Sequence, residues 1–235
     1  PRNSEVNDAT FSHIGVHSHE FGHILGLGDQ YYAPYDYGLW GLMANGGNKG
    51  GNNDSQRGNN PAPIVPQQRY DLGWLSFQNV DLKALNVQIP YSLNAVYKIK
   101  GSYSSEYILV ENRQTGADWN RFLPSGGLLI WRIYYSTFDL IEASGVSSAP
   151  YASAGDPFPG SSNLRKLTDF SSPSNSKFIS GSNSNILLQN ISNSGSTMTA
   201  DLSPYWYGTI SESQTWSGVV LIGENLSVSF GVALI

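Results

Sequence analysis

The chain contains no cysteine, so no disulfide framework holds it, and its stability must come from packing, with metal ions as the remaining cross-link. Charge is scarce too: 13% of the residues are Asp, Glu, Lys or Arg, and the balance is negative, at −5. A nucleic-acid partner calls for a basic patch or stripe, and no basic run occurs here, so none is expected. No apolar run reaches the roughly 18 residues that a membrane-crossing helix requires, so no membrane span is expected. Methionine occurs only twice, and no glutamate falls between Glu20 and Glu106. What is plentiful is Gly, Tyr, Asn and Ser, a composition suited to β-structure and long loops on an extracellular surface. At 235 residues the chain can bury a core, as one large domain or two small ones.

The residues that carry chemistry are concentrated in one stretch, 17 to 29. His19, Glu20 and His23 make an H-E-x-x-H sequence. On a helix, positions four apart share a face, so the two imidazoles point at one spot and suit a zinc ion. Glu20 lies about 100° further round the same helix. There it can take a proton from a zinc-bound water without ligating the metal, the role of a general base. Gly26 can adopt the left-handed conformation that ends a helix and turns the chain back. Asp29 is then the first hard oxygen donor, six residues after His23, where the metzincin pattern has its third ligand. A glutamate ligand from a later helix finds little support, because none occurs before Glu106. Met43, in Gly41-Leu42-Met43, suits the methionine turn beneath such a metal, with ordinary core filling as the plainer alternative. His17 and His13 lack the spacing of the pair and read as packed or hydrogen-bonded histidines.

The zinc stretch is followed by Tyr37-Gly38-Leu39-Trp40-Gly41-Leu42-Met43-Ala44-Asn45-Gly46, and later by Tyr70-Asp71-Leu72-Gly73-Trp74-Leu75 and Tyr107-Ile108-Leu109-Val110-Glu111-Asn112-Arg113. Gly126 to Trp131, Gly155 to Gly160 and Asn190-Ile191-Ser192 complete the set. Together these segments resemble the immune inhibitor A-type metallopeptidases, secreted bacterial zinc proteases, over residues 12 to 202. The chain departs from that pattern at Arg132 and Tyr134, where the family commonly has His and Asp, and at Ser144, which replaces an Asp. The zinc residues are untouched by these departures. The resemblance implies a zinc endopeptidase acting on proteins or peptides, secreted or at the cell surface. It also implies a further subdomain ahead of the zinc helix, as an N-terminal segment or a separate chain that completes the cleft. Residues 1 to 12 read instead as a polar loop running into the helix, so a fragment of a longer protein is expected.

Around the motif, Phe11, Ile14, Val16, Phe21, Ile24 and Leu25 predict a helix from Thr10 to Gly26 with a buried stripe, capped by Ser12. Residues 30 to 66 read as a long irregular segment bordering the cleft, or as a flexible surface loop. Tyr31, Tyr32, Tyr35 and Tyr37 each offer a hydroxyl that could stabilise an oxyanion, and nothing in the sequence chooses among them. Pro61, Pro63 and Pro66 lead into a short helix, 67 to 72, expected to pack under the zinc site.

After Gly73 the period changes, and 87 to 89, 95 to 99, 106 to 111 and 128 to 134 read as strands. A hairpin from 185 to 191 and 197 to 202 closes the sheet, and Pro204 ends the unit. Glu111 and Arg113 predict a structural ion pair or a bracketed sheet edge. Asp118, Asp139, Glu142, Asp156 and Asp169 make calcium a second candidate ion, although solvated loop carboxylates are the plainer expectation. Residues 205 to 235 look like the opening coil of a parallel β-helix, as in bacterial surface proteins. The expected fold is α+β: a metzincin-like zinc-helix subdomain, the C-terminal part of a catalytic domain (1 to 80), then a β-sandwich-like domain (81 to 203) and a short β segment (204 to 235). The other functional class in view is a surface adhesion or assembly protein that uses the peptidase-like fold as a scaffold.

Overall fold

The computed structural model describes residues 13–32, 36–50, 57–101, 105–116, 118–210 and 221–228. The fold is mixed α+β, with few helices and two sheets. Helix α1 spans Ile14–Ile24 and helix α2 spans Pro66–Asp71, with 3₁₀ turns at Gly38–Trp40, Asn45–Asn48 and Asp118–Asn120. The predicted Ser12 cap lies outside the described residues, and His13 occupies the N-cap position without its side chain capping the helix.

The strands among the described residues are β1 Gln78–Val80, β2 Ala84–Pro90, β3 Val96–Lys100, β4 Tyr107–Arg113, β5 Gly127–Tyr134, β6 Thr137–Ile141, β7 Ile186–Gln189, β8 Thr197–Ile210 and β9 Leu221–Val228. One sheet has five strands in the order β1-β3-β4-β5-β6; the other runs β2-β8-β7, with β9 also paired to β8. β3, β4, β5 and β6 form an antiparallel meander, while β1 joins β3 in parallel. The predicted 185–202 hairpin appears as the antiparallel pair β7 and β8. β8 does not stop at Pro204, which faces Ile186 across the ladder. Beyond it the strand changes partner and runs parallel to β9 from Tyr205↔Leu221 onwards.

The two sheets face one another across a shared apolar core. Ile99, Ile108, Val110, Leu128 and Ile130 of the five-stranded sheet pack against Ile89, Ile186, Leu188, Met198 and Leu202 of the other. Alternate residues of the same strands point the opposite way. Val96, Leu109, Leu129, Trp131 and Ile133 form a second core with Tyr37, Trp40, Ala44, Val65 and Leu75. The five-stranded sheet is therefore covered on both faces, and six of the seven residues of β4 are buried. Period-2 alternation normally leaves one sheet face wet; here both faces are apolar because each has a layer to meet.

α2 is tied to this sheet by charge. The Arg69 guanidinium meets Glu111 at 2.9 Å and Arg113 meets the same carboxylate at 3.0 Å. Trp131 donates its indole N–H to Glu111 at 3.1 Å. The expected Glu111–Arg113 pair thus exists, buried in the central strand rather than at an edge, and α2 shares it. Leu72, just past α2, packs on a small cluster of Leu27, Leu42 and Met43. This places α2 beneath the segment that carries the candidate site.

Candidate metal centre

α1 ends as its sequence predicts. Gly26 has φ +91°, and its N–H donates to the His23 carbonyl at 2.9 Å while Leu27 N–H reaches back to Gly22 at 3.0 Å. These two bonds form the Schellman arrangement that satisfies the last helical carbonyls and reverses the chain. The reversal returns Asp29 to the helix face that carries the histidines. Asp29 Oδ1 lies 3.0 Å from His19 Nε2 and 3.2 Å from His23 Nε2. Among the described residues this is the one group of three or more His, Cys, Asp or Glu side chains whose donor atoms converge, all within 4.8 Å of one another. His17 and His13 are not part of it.

The other ring nitrogens settle the tautomers. His19 Nδ1 is 2.9 Å from the Leu42 carbonyl and His23 Nδ1 is 2.8 Å from the Leu27 carbonyl. A carbonyl oxygen can only accept, so both Nδ1 atoms carry hydrogen. In neutral rings both Nε2 atoms then present lone pairs, and both face a carboxylate oxygen. Three acceptors aimed at one spot repel unless a proton on one ring or a metal cation lies among them. Four ligands about 2.0 to 2.1 Å from a tetrahedral zinc stand about 3.3 Å apart, and the observed separations of 3.0 and 3.2 Å are close to that. Two imidazoles and one carboxylate are a donor set that could hold a divalent metal ion.

α1 does not dock by the stripe its apolar residues predict. Ile14, Phe21 and Ile24 are 52%, 56% and 78% exposed, and the buried helix positions are Gly15 and Gly22. A Cβ on Gly15 would stand 1.9 Å from the Gly47 carbonyl oxygen, and one on Gly22 would stand 2.5 Å from Met43 Sδ. The bare helix backbone is thus pressed against the Asn45–Asn48 turn and the fully buried Met43. The Gly15 N–H is bonded to Gly58 O at 2.8 Å. Glycine has no side chain for hydrophobic periodicity to register, which is why that pattern pointed to the wrong face. The alternative of a flexible surface loop for residues 30 to 66 also gives way over 37 to 49, where most residues are buried.

Glu20 is exposed and lines a cavity of about 350 Å³ together with His19, Tyr31, Asn45 and Asn48. Of the four tyrosines offered by the sequence, Tyr31 is the one in this cavity, with its ring centroid 6.1 Å from that of His19. Its hydroxyl is held well above the ordinary phenol pKa, first by its hydrogen bond with Tyr32, then by burial and by Asp29. It therefore remains a donor. The Tyr32 ring packs against Tyr31 with centroids 4.7 Å apart and planes tilted by 47°. Tyr37 is buried against Trp131, and Tyr35 lies outside the described residues.

No three of the carboxylates suggested for calcium bring their oxygens together among the described residues, and the Asp118 side chain lies outside them. Two of them are not solvated either. Asp156 is fully buried and accepts from Trp40, Ser148 and the Ser153 N–H on one oxygen. Asp169, 2% exposed, gathers Ser176, Ser184 and the Asn185 N–H. Serine hydroxyls and loop amides satisfy Asp169 in place of water, whereas on Asp156 they and the Trp40 indole reach Oδ2 and leave the buried Oδ1 without a partner. The functional contacts that sequence reasoning missed are the carbonyls of Leu27 and Leu42, which every residue type possesses and no side-chain pattern reveals. Compared with protein-family models, with curated proteins and with solved structures, the chain matches none.

Proposed function

We propose that the chain is the zinc-bearing part of a metalloendopeptidase of the metzincin type, acting on protein or peptide substrates outside the cell or at its surface. The observation that carries this reading is the approach of both Nε2 atoms to Asp29 Oδ1, with Glu20 lining a cavity together with one of the two histidines, His19. Zinc, when bound, supplies Lewis-acid polarisation of the scissile carbonyl and brings the pKa of water toward neutrality.

The chain's own residues do the rest. Leu27 and Leu42 carbonyls hold the rings in the Nδ1–H tautomer, so that each Nε2 offers its lone pair. Asp29 contributes a negative charge that offsets the cation's. Glu20, next to His19 on the helix but outside the donor cluster, takes the proton of the attacking water and returns it to the leaving amine nitrogen. Tyr31 keeps its proton and faces the same cavity, where a hydroxyl can donate to the developing oxyanion. The immune inhibitor A resemblance of the sequence supports the same assignment.

The test pairs zinc stoichiometry with cleavage of casein or gelatin. The wild-type chain and Glu20→Gln are each expected to hold one zinc per chain, while the variant loses about 10²- to 10⁴-fold in rate. His23→Ala should lose the zinc. If zinc binds but wild type and Glu20→Gln are equally inert on many unfolded substrates, the hydrolytic reading fails and a scaffold role takes its place.

A further inference from the structure

We infer that the cavity beside His19 and Glu20 is a specificity pocket for an uncharged polar side chain of the substrate, a carboxamide or a hydroxyl, adjacent to the bond that is cut. This rests on the peptidase reading, because it is the position of His19 and Glu20 in the wall that sets the pocket next to the reacting carbonyl.

The rest of the wall includes the segment Ala44 to Asn48. Ala44 and Gly47 are small and leave depth, whereas Asn45 and Asn48 contribute carboxamides. Each carboxamide offers two donors and an acceptor with two lone pairs. The Asn48 amide has no side-chain partner among the described residues, and Asn45 has only a long 3.5 Å contact to Asp36. The turn that presents them is fixed before any ligand arrives. Gly46 N–H donates to Gly41 at 3.1 Å, Ala62 N–H to Gly46 at 2.9 Å and Gly58 N–H to Asn48 O at 3.2 Å. A preorganised wall loses little freedom on binding, so its hydrogen bonds appear in selectivity rather than being spent on ordering.

An apolar side chain in this pocket would strip water from the two amides and return nothing, the situation in which a polar site rejects an analogue most strongly. Charge is disfavoured in both signs. Among the described residues Glu20 is the only carboxylate in the wall, and no amine or guanidinium lines it. An acidic side chain would meet Glu20 as a like charge, and a basic one would pair with the carboxylate that must accept the proton. A second cavity, about 300 Å³ and walled by Trp74, Trp119, Pro61 and Pro63, is apolar but shares no residue with the His19 and Glu20 pocket. It is therefore not the pocket that reads the residue beside the cut.

Two measurements on the full chain separate this inference from the reading it rests on. In the first, the zinc-loaded chain digests a complex peptide mixture and the cut sites are sequenced. Asn, Gln, Ser and Thr should outnumber Leu, Met and Phe by about tenfold at one position flanking the cut, and Asn48→Leu should reverse that order while keeping its zinc. In the second, zinc-loaded Glu20→Gln is probed on an array of peptides, with the same preference expected in binding, lost in Glu20→Gln/Asn48→Ala. Cleavage with an apolar preference that Asn48→Leu leaves unchanged overturns the pocket assignment and leaves the peptidase intact. Polar-selective binding that depends on Asn48, with no cleavage by wild type, supports the pocket and overturns the peptidase. Neither cleavage nor selective binding overturns both.

Discussion

The two-sheet body and the metal helix are assembled from opposite materials. In the body, Leu109, Leu128, Leu129, Ile130 and Trp131 are all fully buried, and each strand residue meets a side chain from a facing layer. In the helix region, Gly15 and Gly22 are the buried positions, the contact is backbone on backbone, and the large residues Ile14, Phe21 and Ile24 are turned outward. Side-chain packing stabilises through apolar area and tolerates volume-conserving exchanges. Backbone packing contributes less area but fixes position closely, because a single Cβ is enough to spoil it. The first suits a scaffold. The second suits a site in which two imidazoles and a carboxylate must meet within a fraction of an ångström, as the proposed zinc site requires.

Breaking the body should produce the largest effect. Glu111 is 0% exposed and shared by Arg69, Arg113 and Trp131. Glu111→Ala leaves two guanidinium groups buried without a counter-charge, and the expected loss is about 3 to 5 kcal/mol in urea unfolding. Replacing Arg69 and Arg113 by Met alongside Glu111→Leu should recover much of that loss, since buried ion clusters are often matched by apolar residues of similar volume. A loss under about 1 kcal/mol in the single variant would mean that the charges do not hold α2 to the sheet, since an exposed pair is worth no more than that.

Breaking the helix seat should leave the body standing. At Gly15 a Cβ meets a backbone oxygen at 1.9 Å, so Gly15→Ala must push α1 away from the Asn45–Asn48 turn. His19 would then part from the Leu42 carbonyl that orients it. Zinc affinity, read by chelator competition, should fall about 10- to 100-fold, the usual cost of losing an outer-shell partner, with the β-sheet circular dichroism unchanged. Gly26→Ala sharpens the contrast. Nothing lies within 4 Å of its added Cβ, but its φ of +91° is strained for alanine, so a loss of about 1 kcal/mol is expected from the turn alone. Equal effects at Gly15 and Gly26 would show that conformational freedom, and not close approach, is what these glycines supply.

The same division explains what could be read from the sequence. The His19, His23 and Asp29 meeting was legible because two rules of local geometry fix it, the i, i+4 spacing and the glycine reversal. β2, β3, β4, β5, β7 and β8 were legible as β-branched and aromatic runs. β1 was not, being three residues with two exposed polar positions. β6 was missed because its hairpin turns at Tyr135-Ser136, with Tyr135 at φ +51°, in place of the Asn-Gly or Asp-Gly that normally marks such a turn. The docked face of α1 was misread because its contact is made by residues without side chains. Asp156 and Asp169 were misread as solvated because their partners are serines and amides in loops distant in sequence, which composition cannot pair.

The last expected effect is a pH signature that differs in sign between the two regions. Lys49, next to the metal helix's seat, is 1% exposed and bonded to Asn60 and the Trp119 carbonyl. Burial, and secondarily the nearby Arg113 charge, lower its pKa to about 7 from 10.5. Between those values the folded state binds fewer protons than the unfolded one, so stability rises with pH across the window and is lost as pH falls through about 7. Glu142, beside the loops of the two-sheet body, is pushed the other way. Burial raises its carboxyl to about 7 from 4.5, with Asp139 and Asp156 adding to the rise. Here the folded state holds a proton that the unfolded state releases, so stability present at pH 4.5 is lost as pH climbs to about 7. Urea midpoints at pH 5, 7 and 9 should therefore trace a shallow dip near neutrality. Lys49→Met should flatten only its alkaline side and Glu142→Gln only its acidic side. Curves for both variants that run parallel to wild type would show that neither group changes its protonation on folding, and the electrostatic contrast between the regions would fall.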